Sequence, residues 1–210
     1  MTISLSINAG DAAEAYALIG RARGVVPAGG WIHIDIGDGA YTPRASWGDP
    51  AGLPDMRGFT LEVHLMALDW EARVIPWLEA GAKRIIVPAD LVQGGAHLRE
   101  AVARYGATAM ISIPCGAAAK EIAARFPGFR EFQILAVSPG KSGQKFDERA
   151  IGALSAMRAA FPDAILEVDG GMTPDAVRRA KAAGANIAIS SSYVWGSGDP
   201  RQAYGMLAAI

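Results

Sequence analysis

At 210 residues, 51% of them hydrophobic, the chain has enough apolar material for one sizeable core and a length that a single barrel domain commonly occupies. Lys and Arg number 20 against 21 Asp and Glu, so the formal net charge of -1 gives no global field that would gather nucleic acid or anionic lipid. Any anionic ligand must be held by local groups. The single cysteine, Cys115, excludes an internal disulfide, the opening MTISLSINAGDAAEAY lacks the basic and apolar regions of a secretory signal, and no stretch reaches the roughly 18 apolar residues of a membrane span. A cytoplasmic protein without a membrane partner is expected.

Short β-rich runs alternate with Ala-rich helical patterns along the chain. The spacing predicts a strand over 3–8 and a helix over 11–21, then strands over 31–35 and 60–65 and a helix over 70–80. A short strand over 84–87 and a helix over 98–105 come next, followed by strands over 108–113 and 132–137 and a helix over 148–160. A strand over 165–168, a helix over 174–183 and a strand over 187–190 complete the series. Thr173 before Pro174 supplies an N-cap and a first-turn proline, Gly184 closes the same helix, and the Ala-Gly-Ala segments at 80–82 and 183–185 read as helix-to-strand turns. Eight such βα units close naturally into a (β/α)8 TIM barrel, expected here as one catalytic domain over residues 1–210. The turn after the first strand, Asn8-Ala9-Gly10-Asp11, is not the glycine-rich dinucleotide turn of a doubly wound sheet.

Barrel enzymes carry their chemistry at the C-terminal strand ends. Side chains alternate along a strand, so His33 and Asp35 share the inward face of the second strand while Ile32 and Ile34 pack outward. The third strand adds His64 and the seventh ends in Asp169. Two imidazoles and two carboxylates at one mouth suit one divalent metal ion (Zn, Mn, Fe or Co) with positions left open for substrate oxygens. The structural alternative is a satisfied buried His33–Asp35 pair with Asp169 capping a turn, and the convergence of all four residues weighs against it. His97, on a predicted helix, is expected at the surface. For phosphate, the loops after the seventh and eighth strands offer Gly170, Gly171, Ser191 and Ser192, and the loop after the sixth offers Gly140, Lys141, Ser142 and Gly143. Gly140-Lys141-Ser142 is not a P-loop, because the glycine such a loop requires is replaced by Leu135. No inward lysine near a strand end is available for Schiff-base chemistry, and Cys115 reads as a small core or rim residue.

The runs His33-Ile34-Asp35-Ile36-Gly37-Asp38-Gly39, Glu62-Val63-His64-Leu65-Met66 and Val168-Asp169-Gly170-Gly171 resemble the signatures of the ribulose-phosphate 3-epimerase family, in the family's order. Ser6-Ile7, Pro139-Gly140, Gly143-Gln144-Lys145-Phe146 and Ser192 extend the resemblance over essentially the whole chain. It implies that His33, Asp35, His64 and Asp169 bind the metal and that Asp35 and Asp169 exchange the proton on opposite faces of C3 of a ketose phosphate. It further implies that Ser6 and His64 contact substrate, that Met66 is the retained part of a methionine cap, and that Gly140 to Gly143, Gly170, Gly171, Ser191 and Ser192 lie near the phosphate. A small-molecule sugar phosphate is thus the implied partner, and the assembly a homo-oligomer. The chain departs from the family pattern at Gly37, at Pro88-Ala89-Asp90, at Leu135, at Lys141-Ser142 and at Ser191, which bears on the sugar more than on the reaction. D-ribulose 5-phosphate is the simplest substrate; another ketose phosphate, such as a ketohexose 6-phosphate, and a non-catalytic sugar-phosphate-binding barrel are the alternatives. A lyase related to hexulose-phosphate synthase would need an Asp-x-Lys pair where His33-Ile34-Asp35 stands.

Overall fold

In a computed structural model that describes residues 1–138 and 143–210, eight parallel strands close into a barrel in chain order. They are β1 (Thr2–Ile7), β2 (Trp31–Gly37), β3 (Thr60–Met66), β4 (Arg84–Pro88), β5 (Thr108–Pro114), β6 (Glu131–Leu135), β7 (Ile165–Asp169) and β8 (Ile187–Ser190). Around them lie the helices α1 (Ala12–Ala22), α2 (Trp70–Glu79), α3 (Ala96–Arg104), α4 (Ala119–Arg125), α5 (Arg149–Ala160), α6 (Pro174–Ala182), α7 (Ser192–Trp195) and α8 (Pro200–Ala208). Every predicted strand and helix has its counterpart. β6 ends at Leu135, short of its expected end: the Ala136 N–H makes the last ladder bond, donating to Asp169 O at 2.8 Å, and Ala136 O instead accepts from Asp147 N at 2.8 Å.

The barrel departs from regular alternation between β2 and β3, where no helix forms. The segment over 38–59 holds Gly39, Gly48, Gly52 and Gly58 with Pro43, Pro50 and Pro54, a composition that breaks helices. It is tied down by polar clamps instead. Asp38 accepts from the N–H groups of Ala40, Tyr41 and Leu68 at 2.7–2.8 Å, and Tyr41 donates to Asp90 at 3.0 Å. Trp47 anchors the segment against the rings of Tyr16 and Trp77.

The caps have local causes. Asp11 accepts from Glu14 N at 2.9 Å while Glu14 accepts from Gly10 N at 2.8 Å, a reciprocal pair that seals the start of α1. Thr173 accepts from Ala176 N at 3.3 Å at the start of α6, and Gly184 takes φ +105 after it. The outward aliphatics Ile32, Ile34, Ile36, Val63, Leu65 and Ile85 are at most 1% exposed and share one core with Val74, Trp77, Leu98 and Leu154 of the helices. Each such burial stabilises by about 1.5–3 kcal/mol relative to exposure.

Inside the barrel the register stacks polar residues in two levels. Ser6 lies beside His33, Asp35 beside His64, and Leu135 beside Asp169. Deeper in the barrel, His33 also faces Glu62, Glu62 lies beside Arg84, and Gln133 beside Glu167. His97 is exposed on α3, where it pairs with Glu71 at 3.1 Å and packs against Trp70, as expected for a surface residue.

Candidate active site

β2, β3 and β7 deliver His33, Asp35, His64 and Asp169 to the same mouth, and one ligand atom from each lies within 4.8 Å of the others. His33 Nε2 is 3.1 Å and His64 Nδ1 3.4 Å from the same oxygen, Asp35 Oδ1. The Ser6 hydroxyl donates to Asp35 Oδ2 at 3.0 Å. Both imidazoles are fully buried, and His64 Nε2 has no hydrogen-bond partner among the described residues. The 3.4 Å approach of His64 Nδ1 to Asp35 is long for a hydrogen bond, so it reads as an electrostatic contact. An unpartnered buried nitrogen, a second imidazole and two converging carboxylates are a donor set that fits a divalent cation.

Taken by themselves, these side chains titrate in opposed directions. Burial alone would raise Asp35, but the His33 charge, the hydrogen bond from His33 and the nearby His64 imidazole outweigh it and hold the carboxyl well below the usual carboxylate range. Burial and the neighbouring Asp35 carboxylate push Asp169 up to about 7. Burial would lower His33, yet the Asp35 charge and hydrogen bonds to Asp35 and Glu62 raise it well above its ordinary value. His64 is lowered by burial, which the Asp35 contact only partly offsets.

A cleft of about 580 Å³, measured out to its open mouth, runs across these groups. Its walls include both aspartates together with Ser6, Met66, Gly143, Gly170, Gly171, Ser191 and Ser192, so the structure brings these sequence-predicted residues to one surface. His33 and His64 sit behind that surface rather than on it. Gly140, Lys141 and Ser142 lie outside the described residues. Gly170 and Gly171 adopt φ +108 and +67, and a Cβ on either would collide with Val137 or with the Phe146 backbone. Their glycine identity is therefore required by packing of the β7 turn against the segment after β6. Cys115 is a half-buried rim residue.

Gly37 has an equally concrete cause. A Cβ there would strike the Thr42 hydroxyl and come within 2.9 Å of Arg44 O, because the chain folds back over the end of β2. Ser46 locks that fold, accepting from Gly37 N and donating to Asp35 O, each at 2.8 Å. A second lobe of about 1190 Å³, again counted to its mouth, adjoins the cleft at Asn8, Asp35 and Met66 and is lined further by Gly37 and Arg44.

Beneath the mouth lies a layer that the sequence reading did not single out. Glu62 Oε1 accepts from Ser4 at 2.5 Å and stands 3.2 Å from His33 Nδ1, while Glu62 Oε2 accepts from Arg84 at 2.6 Å. Arg84 donates from Nε to Glu131 at 2.6 Å, and Gln133 donates to Glu167 at 3.1 Å. Burial, with the Glu62 charge, raises Glu167 well above its ordinary value. The signal was present: Ser4, Glu62 and Glu167 each stand two positions before Ser6, His64 and Asp169, on the same inward face.

The Ribulose-phosphate 3 epimerase family model matches residues 2–195. A ribulose-phosphate 3-epimerase from Mycobacterium tuberculosis is 27% identical over 211 residues, covering 98% of this chain and 90% of its own. The chloroplastic ribulose-5-phosphate-3-epimerase of Arabidopsis thaliana is 32% identical over 183 residues, covering 82% of this chain and 64% of its own. Among solved structures, 3-hexulose-6-phosphate synthase from Salmonella typhimurium superposes with a TM-score of 0.74 at 15% identity, covering 100% of this chain and 97% of that one. Orotidine 5'-phosphate decarboxylase from Pyrococcus horikoshii superposes at 0.63 with 14% identity, covering 98% and 97%. At such identities the two structures speak for the barrel fold alone. Because the family match runs over almost the entire chain, the protein belongs to the ribulose-phosphate 3 epimerase family and is an isomerase.

Proposed function

We propose that the protein inverts C3 of a pentulose phosphate, interconverting D-ribulose 5-phosphate and D-xylulose 5-phosphate, with a divalent ion held by His33, Asp35, His64 and Asp169. The observation that carries this reading is the pair of carboxyls facing one cleft with opposed proton preferences, Asp35 well below its ordinary value and Asp169 raised to about 7. A C–H beside a ketone is a weak acid, and inversion needs one group to take its proton and another to return a proton from the opposite face. When bound, the ion supplies positive charge beside the substrate oxygens, where negative charge develops on deprotonation.

Asp35, kept ionised by His33 and by the Ser6 hydroxyl, removes the C3 proton in one direction. Asp169 returns a proton on the other face, and the roles exchange in reverse. A bound cation would lower both carboxyls, and Asp169, the more readily protonated of the two, would remain the one that holds the proton to be returned. Gly143, Gly170, Gly171, Ser191 and Ser192 border the cleft where the substrate phosphate would dock. We further place the protein in the cytoplasm, as its composition and a rice relative named as a cytoplasmic isoform suggest, and read it as a homo-oligomer of single-domain chains.

A second reading concerns the sugar. The lobe beyond Asp35, lined by Gly37 and Arg44, widens the cleft and favours testing longer ketose phosphates. Initial rates on D-ribulose 5-phosphate and on ketohexose 6-phosphates, measured with added Mn or Zn and again after chelation, test both. The pentulose reading expects the largest kcat/KM on ribulose 5-phosphate and its loss on chelation. Turnover confined to a hexulose phosphate would replace that substrate, and full turnover after chelation would contradict the metal.

A further inference from the structure

We propose that Glu62 is a positioning residue: it fixes the tautomer and orientation of His33, so that Nε2 is the nitrogen presented to the metal. This rests on the reading that the mouth cluster holds a divalent ion, and it concerns a residue that the epimerase chemistry does not itself use.

His33 stands between two carboxylates, Glu62 behind it and Asp35 at the mouth. Glu62 lies directly beside His33 in the β2–β3 register, and both side chains are fully buried. An ionised carboxylate only accepts hydrogen bonds, so the Glu62 oxygen 3.2 Å from His33 Nδ1 requires the proton on Nδ1. Nε2 points at the mouth, 3.1 Å from Asp35 Oδ1, so it is the nitrogen that would give up its proton to an arriving metal while Glu62 keeps the proton on Nδ1. A carboxylate behind a ligating imidazole also increases the basicity of the nitrogen in front.

Glu62 is itself braced. The Ser4 hydroxyl donates to the oxygen that faces His33, and Arg84 donates to the other at 2.6 Å. Arg84 is held in turn by Glu131 at 2.6 Å and lies 4.3 Å from the centre of the Trp31 ring. The line Arg84–Glu62–His33 thus runs from deep in the barrel to its mouth. Among the described residues His64 has no such support: its Nδ1 has Asp35 at 3.4 Å and its Nε2 has no hydrogen-bond partner. One imidazole is clamped from behind, and its neighbour is not.

A merely structural role for Glu62, as one acid of a buried ion network, gives a different outcome from a positioning role. Glu131 belongs to the same network through Arg84 but stands away from His33, so Glu131→Gln is the control. Zinc affinity, measured by competition with a chromophoric chelator on folded wild type, Glu62→Gln and Glu131→Gln, should fall about 10- to 100-fold for Glu62→Gln and stay near wild type for Glu131→Gln. Equal affinities in wild type and Glu62→Gln, or equal losses in the two variants, overturn the proposal while leaving the metal reading intact. Wild type that binds no zinc overturns both. Should Glu62→Gln fail to fold, long-range 15N–1H spectra of zinc-loaded wild type decide: a His33 proton on Nδ1 with zinc on Nε2 is expected, and the reverse assignment overturns it.

Discussion

The two polar levels inside the barrel solve the same problem in different ways. The lower one gathers Glu62, Glu131 and Glu167 around an internal cation, Arg84, which bonds two of the acids at 2.6 Å and lies 3.8 Å from the third. The upper one places Asp35 and Asp169 together, and among the described residues no Lys or Arg pairs with either. His33 carries the compensating charge there, since Asp35 and Glu62 hold its pKa well above the ordinary value. A charge that leaves as a proton can be exchanged for a metal ion, whereas a guanidinium cannot be. The lower level therefore reads as scaffold and the upper as an exchangeable site.

Breaking the lower level should have the largest effect on stability. Arg84→Met strands two buried carboxylates and should cost about 3–5 kcal/mol, measured by urea unfolding. Asp169→Asn should act in the opposite sense at neutral pH. The Asp169 carboxyl, raised from 3.8 to about 7 in the fold, favours the folded state while it is protonated. Its contribution is fully present below 3.8 and is lost as pH rises through about 7. Thermal melts of wild type with a chelator present should accordingly lose stability across that window, and those of Asp169→Asn should show a smaller loss; identical profiles would contradict the assignment.

The exchange itself is readable as a proton count. Because His33 must surrender its proton to ligate, metal affinity should increase with pH, and calorimetric titrations in buffers of different ionisation enthalpy should show proton release. Absence of release near neutral pH would indicate that His33 is not a ligand. The smallest effect is expected outside both levels. His97→Ala removes a surface histidine and should change stability by less than about 0.5 kcal/mol, with zinc affinity unaltered.

Much of the upper level was legible in the sequence because each contributor announces itself locally. His33 and Asp35 sit two apart on a strand, and Asp169 stands where β7 meets its glycine turn. The lower level follows the same alternation, but Glu62 and Arg84 acquire meaning only through each other across β3 and β4. Gly37 is similar. Its need for a bare Cα depends on Thr42 and Arg44 folding back over β2, a contact no local pattern encodes. Among the helices, α8 starts with Asp199 accepting from Gln202 N at 3.0 Å and Pro200 behind it, the same grammar as Thr173 and Pro174, so it could have been marked. The short α4 and α7 lack side-chain caps and offer no such signal.

The central claim is that Asp35 and Asp169 work as a pair on opposite faces of one carbon. Proton NMR of the Mn- or Zn-loaded enzyme acting on D-ribulose 5-phosphate in heavy water, with any Mn removed before spectra are recorded, tests it directly alongside Asp35→Asn and Asp169→Asn. The account predicts xylulose 5-phosphate deuterated at C3 from wild type, and kcat lowered by about 10²- to 10⁴-fold in each variant. Wild-type conversion that carries no deuterium into C3, or either variant turning over at the wild-type rate, would contradict it.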